Sequence, residues 1–500
     1  MGYGLGNTTM IAMDSRKTTR RRVLGAAFTL MLAISGGSAG TEVLANDVRS
    51  HLLVTDIFQP ELGSVAIHKT EVVLKESDPR AQDISGNRAL FQGVPYFQYW
   101  QHHERTYLFH PMALGLYLLN NASVLTAQDL SAVLETSVSL PNGGRAFYYP
   151  KQYKLARFLT PYYQYSALAM GDLLTGFIKL HQAGKVSEDL LRQVWKSMTF
   201  PYAQGGVNLA DRVFLEVPIW DSPPEIVLNG WLYTLLRVAE YARYSGDAEA
   251  RRLLASNLAF LAQVLPSFDD EARQISRYSN STPYQATVVF TKSEGELTVD
   301  YQPHVGLEAV FPVPMTLALR QNWSASSFDT QIRARKGRSV SLSLTLGAIY
   351  DTVLQSTTPF TVKLLPGVYD PLTASPRKGG EPTQIRALQA DGLWIARLDA
   401  KAMARAGFFL GYPTNFSKNG GENYYHVLHV VGLRLLAEEL TKPELAGLVG
   451  AEVVAFCEHW ADKWERYTHS AMHVGRRFPA ENDVRQNTLS GSALSAQTSP

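Results

Sequence analysis

Asn423-Tyr424-Tyr425-His426-Val427-Leu428-His429-Val430-Val431-Gly432-Leu433-Arg434-Leu435-Leu436 follows a loop signal, Asn419-Gly420-Gly421-Glu422, and reads as an amphipathic helix from its first turn. Leu428, Val431 and Leu435 recur at helical spacing and are expected to face a core. Tyr425, His426 and His429 fall in the first two turns, where spacings of three and four residues to His429 let them share one surface. A tyrosine and two histidines at a loop-to-helix junction carry the groups for proton transfer. The same pattern also describes a helix start whose aromatic residues are part-buried.

Upstream, Pro111-Met112-Ala113-Leu114-Gly115-Leu116-Tyr117-Leu118-Leu119 opens a run of helices. Leu130 to Leu134, Tyr163 to His181 and Leu190 to Met198 continue it, with apolar residues three and four apart. Ile226-Val227-Leu228-Asn229-Gly230-Trp231 leads a long helix, and Ala248 to Leu265 forms the next, which Pro266 ends. Successive hairpins of this length predict an α/α toroid, with no solenoid repeat of fixed period. The pattern changes between about Pro283 and Phe416. Ala286-Thr287-Val288-Val289-Phe290, Leu297-Thr298-Val299-Asp300-Tyr301, Ser339 to Leu344 and Phe360-Thr361-Val362-Lys363-Leu364 alternate or are β-branched. Ser64-Val65-Ala66-Ile67 and Glu71-Val72-Val73-Leu74 read as short strands nearer the N-terminus.

The expected fold class is therefore α+β and multidomain: a toroid-like (α/α) helical domain, an inserted β-sandwich-like module and a short N-terminal β segment. The expected boundaries are 1–45 for an export signal, 46–92 for the β segment and 93–282 for the first helical part. They continue as 283–416 for the β-rich module, 417–470 for the last helical hairpin and 471–500 for a polar, disordered tail. Five hundred residues suffice for such a multidomain core. A net charge of +2 supplies no global basic field, which argues against nucleic acid, while a local basic groove for an anionic polymer stays compatible with it. The 24 tyrosines and 8 tryptophans suit stacking on sugar faces as well as core packing. Cys457, the single cysteine, cannot form an internal disulfide and reads as a packed core thiol.

Thr19-Arg20-Arg21-Arg22-Val23-Leu24 precedes an apolar run from Val23 to Ile34, which is short for a membrane span, and Val43-Leu44-Ala45 offers small residues for cleavage. The pattern is that of a twin-arginine-like or general secretory signal. It predicts a periplasmic or secreted protein without a stable membrane anchor after signal removal.

Four segments carry a more specific likeness. They are Gly93-Val94-Pro95-Tyr96 with His110-Pro111-Met112-Ala113-Leu114, then Tyr165-Ser166-Ala167-Leu168-Ala169-Met170-Gly171. Glu216-Val217-Pro218 with Val227-Leu228-Asn229-Gly230 is the third, and Tyr425-His426-Val427-Leu428-His429 the last. In this order the chain resembles an exported bacterial member of the D-glucuronyl C5-epimerase family, in its C-terminal catalytic domain. That family inverts C5 of uronic acids within glycosaminoglycan-type polymers, and the likeness spans roughly Gly93 to Tyr278 and Tyr424 to Trp464. The resemblance implies catalytic roles for Tyr425 and Glu216. Val217 stands where one family tyrosine is expected. Another family tyrosine falls on Ser276, two residues before Tyr278; on an extended segment both share a face, so Tyr278 is expected to substitute. Met170 and Asp172 replace family glutamines.

Removing the proton at C5 of a uronate builds enolate-like charge beside a carboxylate, which must be neutralised by hydrogen-bond donors. Candidates are Arg277, Arg145 and Arg212, with Asn229, His426 and His429 as neutral or switchable donors and Tyr96 and Tyr163 completing the binding set. A tyrosine base, with its ordinary pKa near 10, needs a cationic neighbour. Arg277 beside Tyr278 and His426 beside Tyr425 are the sequence neighbours available. Tyr425 and Tyr278 are expected on opposite faces of the sugar, with Glu216 positioning one of them or acting as a base. A uronate polysaccharide lyase shares the first step, and a non-catalytic glycan-binding or exopolysaccharide-assembly protein would fit the changes at Val217 and Ser276. His426 and His429 alone supply half a metal site, so no metal is expected there; the epimerisation chemistry needs no organic cofactor, and a structural calcium in the β-rich module stays open. The expected partner is an anionic uronate-containing polysaccharide, and a homodimer is allowed.

Overall fold

The computed structural model describes residues 57–490 apart from internal stretches, the longer of which are 152–162, 219–225, 304–316, 324–331, 365–382, 399–411 and 417–421. The expected signal, residues 491–500, His102-His103 and Val217 lie outside the described residues.

Ser64 caps a short helix, α1 (Val65–Thr70), its hydroxyl accepting from the Ile67 amide at 3.3 Å. The strand expected over 64–67 is thus helical, because four residues cannot separate a period of 2 from one of 3.6 and the cap decides. Five strands follow, β1 (Leu74–Lys75), β2 (Gln82–Ser85), β3 (Arg88–Phe91), β4 (Val94–Gln101) and β5 (Glu104–Leu108). They pair antiparallel in the order β1-β5-β4-β3-β2. The β segment therefore reaches Leu108, past the expected boundary at residue 92.

The helices begin at α2 (Pro111–Asn121), where Pro111 fills the first turn and the His110 ring accepts from the Ala113 amide. There follow α3 (Ala127–Leu134), α4 (Ala167–Gln182), α5 (Glu188–Thr199), α6 (Leu228–Ser245) and α7 (Ala248–Val264). Thr126, Ser166, Ser187 and Asp247 cap four of them through their side-chain oxygens. Two glycines set the spacing of α2 on α4. A Cβ on Gly115 would lie 2.5 Å from the Leu173 nitrogen, and one on Gly176 would lie 2.9 Å from the Gly115 carbonyl oxygen. The backbones touch directly, which leaves α4 buried on nearly every side.

Past α7, β6 (Asp269–Asp270) and β7 (Ile275–Ser279) form a hairpin. The β-rich part holds β8 (Pro283–Phe290), β9 (Gly295–Pro303), β10 (Leu317–Trp323), β11 (Ile332–Arg335), β12 (Ser339–Gly347), β13 (Tyr350–Ser356) and β14 (Phe360–Leu364). It is completed by β15 (Thr383–Arg386), β16 (Leu388–Ala390) and β17 (Leu393–Leu398). Two five-stranded sheets result, ordered β11-β12-β8-β14-β15 and β10-β9-β13-β17-β16. Along β14, Phe360, Val362 and Leu364 are buried while Thr361 and Lys363 are not, the alternation of a strand with one covered face. β18 (Tyr412–Pro413) returns the chain to pair with β7.

The last helices are α8 (Tyr424–Leu440), α9 (Ala451–Thr468) and α10 (Glu481–Ser490). Leu428, Val431 and Leu435 do face a core, with Tyr233 and Leu236 of α6. Cys457 is wholly buried, and burial pushes its thiol up to about 12. The tail expected to be disordered from 471 is ordered as far as Ser490. Val484 of α10 is fully buried in the α6–α8 core, and its polar neighbours pair outward, Arg485 with Glu438 and Glu481 with Arg434. The fold is α+β.

Candidate active site

β7 and α8 are tied together at their junction. Asn423 caps α8 by accepting from the His426 amide at 3.2 Å, and its Nδ2 donates to Thr414 Oγ1 at 3.0 Å. Thr414 in turn donates from both its amide and its hydroxyl to the Ser276 carbonyl, each at 2.9 Å. Beyond this anchor, Tyr278 of β7 and Tyr425 of α8 meet edge to face with ring centroids 4.9 Å apart.

The two rings form part of a cleft of about 110 Å³. Met112 and Leu116 of α2 and Leu168 and Asp172 of α4 supply one part of the lining. α6 gives Asn229, Tyr233 and Arg237, spaced four residues apart on one helix face, and Tyr424, Leu428 and Thr488 come from α8 and α10. Glu216 completes the lining. Its carboxylate rests against the first turn of α6, where the positive end of the helix dipole favours it. Gly230 makes that approach possible, since a Cβ there would stand 2.6 Å from Glu216 Cβ. Asn229 is 5% exposed, and its Oδ1 has no hydrogen-bond partner among the described residues.

His426 and His429 do not reach the cleft; both are 0% exposed. The Ser276 hydroxyl lies between their Nδ1 atoms, 2.9 Å from His426 and 2.8 Å from His429, and the Ser276 amide donates to His426 Nδ1 at 3.0 Å. That bond places the His426 proton on Nε2, which donates to the Trp464 carbonyl at 2.9 Å. Burial lowers His426 to about 4 and His429 well below its usual range. The expected cationic neighbour of Tyr425 is therefore a neutral, structural imidazole.

Arg277 is likewise turned to other work. Arg277 does not line the cleft and pairs with Asp270 at 3.6 Å. Arg145 donates to Ser137 Oγ at 2.6 Å and to Gln193 Oε1 at 3.2 Å, bracing a loop outside the cleft. Arg212 is exposed on a turn. Tyr96 is buried in the N-terminal sheet and donates to the Lys69 carbonyl. Tyr163 exchanges hydrogen bonds with Gln59 and stacks under Lys151, 4.4 Å from its ring centre. Neither tyrosine lines the cleft. Of the residues expected to bind or react, Tyr278, Tyr425, Glu216 and Asn229 are brought together.

The cation that does line the cleft is Arg237. Its Nε donates to Asp172 Oδ1 at 3.0 Å and its Nη1 to Glu240 Oε1 at 3.1 Å, while Thr175 donates to Glu240 Oε2 at 2.8 Å. Burial raises Asp172 above the usual carboxylate range against the pull of the guanidinium. The signal for Arg237 was present in the four-residue stripe Asn229, Tyr233, Arg237; Thr488 carries no comparable signal.

Residues 145–293 match the family model described as D-glucuronyl C5-epimerase C-terminus. The matched segment contributes Asp172, Glu216, Asn229, Arg237 and Tyr278 to the cleft, whereas Tyr425 lies outside it. Searches of curated proteins and of solved structures found no match.

Proposed function

We propose that the protein is a polymer-level C5-epimerase of uronic acid residues, of the glucuronate-to-iduronate type. The observation that carries this is the meeting of Tyr278, Tyr425 and Glu216 in one cleft, built largely from the segment that matches an epimerase family. Two aromatic rings in contact at 4.9 Å leave no space for a pyranose between their faces. The tyrosine pair therefore serves one face of the sugar, and Glu216, from a separate element, serves the other. This division suits the ordinary chemistry of the groups: a carboxylate is ionised at neutral pH and accepts a proton, and a phenol keeps its proton and donates it. Glu216 removes the C5 proton, the charge spreads into the adjacent carboxylate, and a tyrosine hydroxyl returns a proton from the opposite side.

The substrate on this reading is an anionic polysaccharide, taken without an organic cofactor by a periplasmic or secreted protein, alone or as a homodimer. The helical hairpins form part of an α/α toroid and the two five-stranded sheets form a sandwich on the same reading. Among the described residues no helix is long and apolar enough to cross a membrane.

Incubating the purified protein with a panel of uronate polymers in deuterated water tests the reaction. Deuterium at C5 without chain cleavage is the expected result. An ultraviolet-absorbing unsaturated product would replace the epimerase by a lyase, and tight binding with neither outcome would leave a glycan-binding protein. Full exchange by Tyr425→Phe together with Tyr278→Phe would remove the tyrosines from the mechanism.

A further inference from the structure

We infer that Arg237 is the residue that takes the carboxylate of the bound sugar, with Asp172 and Glu240 holding its guanidinium in position. The inference rests on the uronate reading of the cleft. Arg237 is the one cationic side chain among the described residues that line the cleft, and it is only 4% exposed. Its stem lies along α4 because Gly171 leaves room; a Cβ there would stand 3.1 Å from Arg237 Cβ. Asp172 takes Nε and Glu240 takes one hydrogen of Nη1, so two edges of the planar group are fixed from α4 and α6. Nη2 makes no hydrogen bond with a described residue, and the side chain lines the cleft. A guanidinium clamped on two sides is preorganised to offer its remaining donors to one more planar anion, at little entropy cost on binding.

Position along the helix agrees. Arg237 is eight residues from Asn229, about 12 Å of helix axis, but side chains on a helix lean toward its N-terminus. Arg237 lines the same cleft as Glu216 and the tyrosine pair. The surroundings also call for a cation: Asp172 and Glu216 line the same cleft, and a sugar carboxylate entering without Arg237 would meet carboxylates alone among the charged lining residues. Arg277, by contrast, does not line the cleft and pairs with Asp270.

Binding of a uronate oligosaccharide and of its carboxyl-reduced, neutral counterpart separates this role from a purely structural one. The wild-type protein is expected to prefer the uronate by at least about tenfold, the value of one charge-assisted hydrogen-bonded contact. Arg237→Gln should erase the preference without weakening the neutral ligand. Where Arg237→Gln does not fold, Arg237→Lys keeps the charge and loses the fork; it should raise KM for the uronate about tenfold with kcat little changed. An undiminished preference in either folded variant, with only a lower melting temperature, would overturn the inference and leave a structural ion pair between α4 and α6. An Arg237-dependent preference in a protein that exchanges no C5 proton would instead overturn the proposed reaction and keep the carboxylate site. C5 exchange with an Arg237-independent preference would do the reverse.

Discussion

The junction of β7 and α8 has two sides that differ in everything except sequence distance. On the cleft side, Tyr278 and Tyr425 are half-buried and meet ring to ring. Two residues back along the strand and one residue on along the helix, Ser276 and His426 are sealed at 0% exposure, with His429 one turn further. The first side can exchange protons with a ligand; the second exchanges hydrogen bonds with itself. The contrast teaches that adjacent residues need not share an environment. On a helix one residue turns the side chain by about 100°, and on β7 the pairing is irregular between Arg277 and Ser279, so Ser276 and Tyr278 meet different partners. A buried side of this kind fixes the geometry on which an exposed side depends, because a displacement of about 1 Å at a reacting group can cost about a hundredfold in rate.

The largest effects should come from the cleft side and be confined to chemistry. Tyr425→Phe and Tyr278→Phe, assayed for C5 exchange in deuterated water, are each expected to lose activity within the range of about 10²–10⁴-fold typical of a general acid or base. Their thermal unfolding should stay close to that of the wild type, since neither ring leaves its place. A fall in stability as large as the fall in rate would put the tyrosines on the structural side of the comparison.

On the buried side the order reverses, with stability moving and pH as the lever. His426 is lowered to about 4 by burial, against 6.5 for the free group, so the folded protein keeps it neutral where the unfolded chain protonates it. Stability from this residue is present above pH 6.5 and is lost as the pH falls through about 4, a change of about 3 kcal/mol for one such group. Denaturant titrations from pH 7 to 4 should show that slope, and His426→Phe should flatten it even though the variant is less stable at pH 7. A slope unchanged by the substitution would mean that other groups titrate in its place; His110, also lowered to about 4 by burial, is the first to examine.

Ser276→Ala should be smaller. It removes the hydroxyl between the two Nδ1 atoms but leaves the amide bond to His426 in place. Leaving His429 Nδ1 without a partner in a sealed site should cost about 1–3 kcal/mol in unfolding free energy at pH 7.

The same contrast explains what could be read before the structure. Apolar periodicity placed the start of α6 and both ends of α7 within a few residues, because their buried faces are written three and four apart in one segment. The motif residues Tyr425, Glu216, Asn229 and Tyr278 line one cleft, but the two tyrosines touch each other where they were expected on opposite faces of the sugar. What failed was whatever depends on which side chains the folded chain pairs. Arg237 acquires its role from Asp172, 65 residues away on α4, and Arg277 loses its role to Asp270 on a strand formed by the same hairpin. α10 was missed for a related reason: in Glu-Asn-Asp-Val-Arg-Gln-Asn-Thr-Leu-Ser the one deeply buried side chain among those described is Val484, and one residue has no period.

That helix gives the smallest expected effects and a finer form of the comparison. Val484 is 0% exposed in the α6–α8 core, while its neighbour Arg485 pairs with Glu438 at the surface, with side chains 33% and 53% exposed. Val484→Ala removes two methyl groups from a packed site and should cost about 1–2.5 kcal/mol, the scale of a buried aliphatic truncation. Arg485→Ala should cost less than about 1 kcal/mol, because solvent screens the exposed pair and its loss frees two long side chains. Measured by urea unfolding, Val484→Ala should be the more costly of the two adjacent substitutions. Because Thr488, one turn beyond Val484, lines the cleft, the pair also tests whether α10 belongs to the site. If α10 closes the cleft through its buried anchor, Val484→Ala should raise KM for the polymer and Arg485→Ala should leave it unchanged. Equal KM values in both variants would make α10 a cover on the core alone.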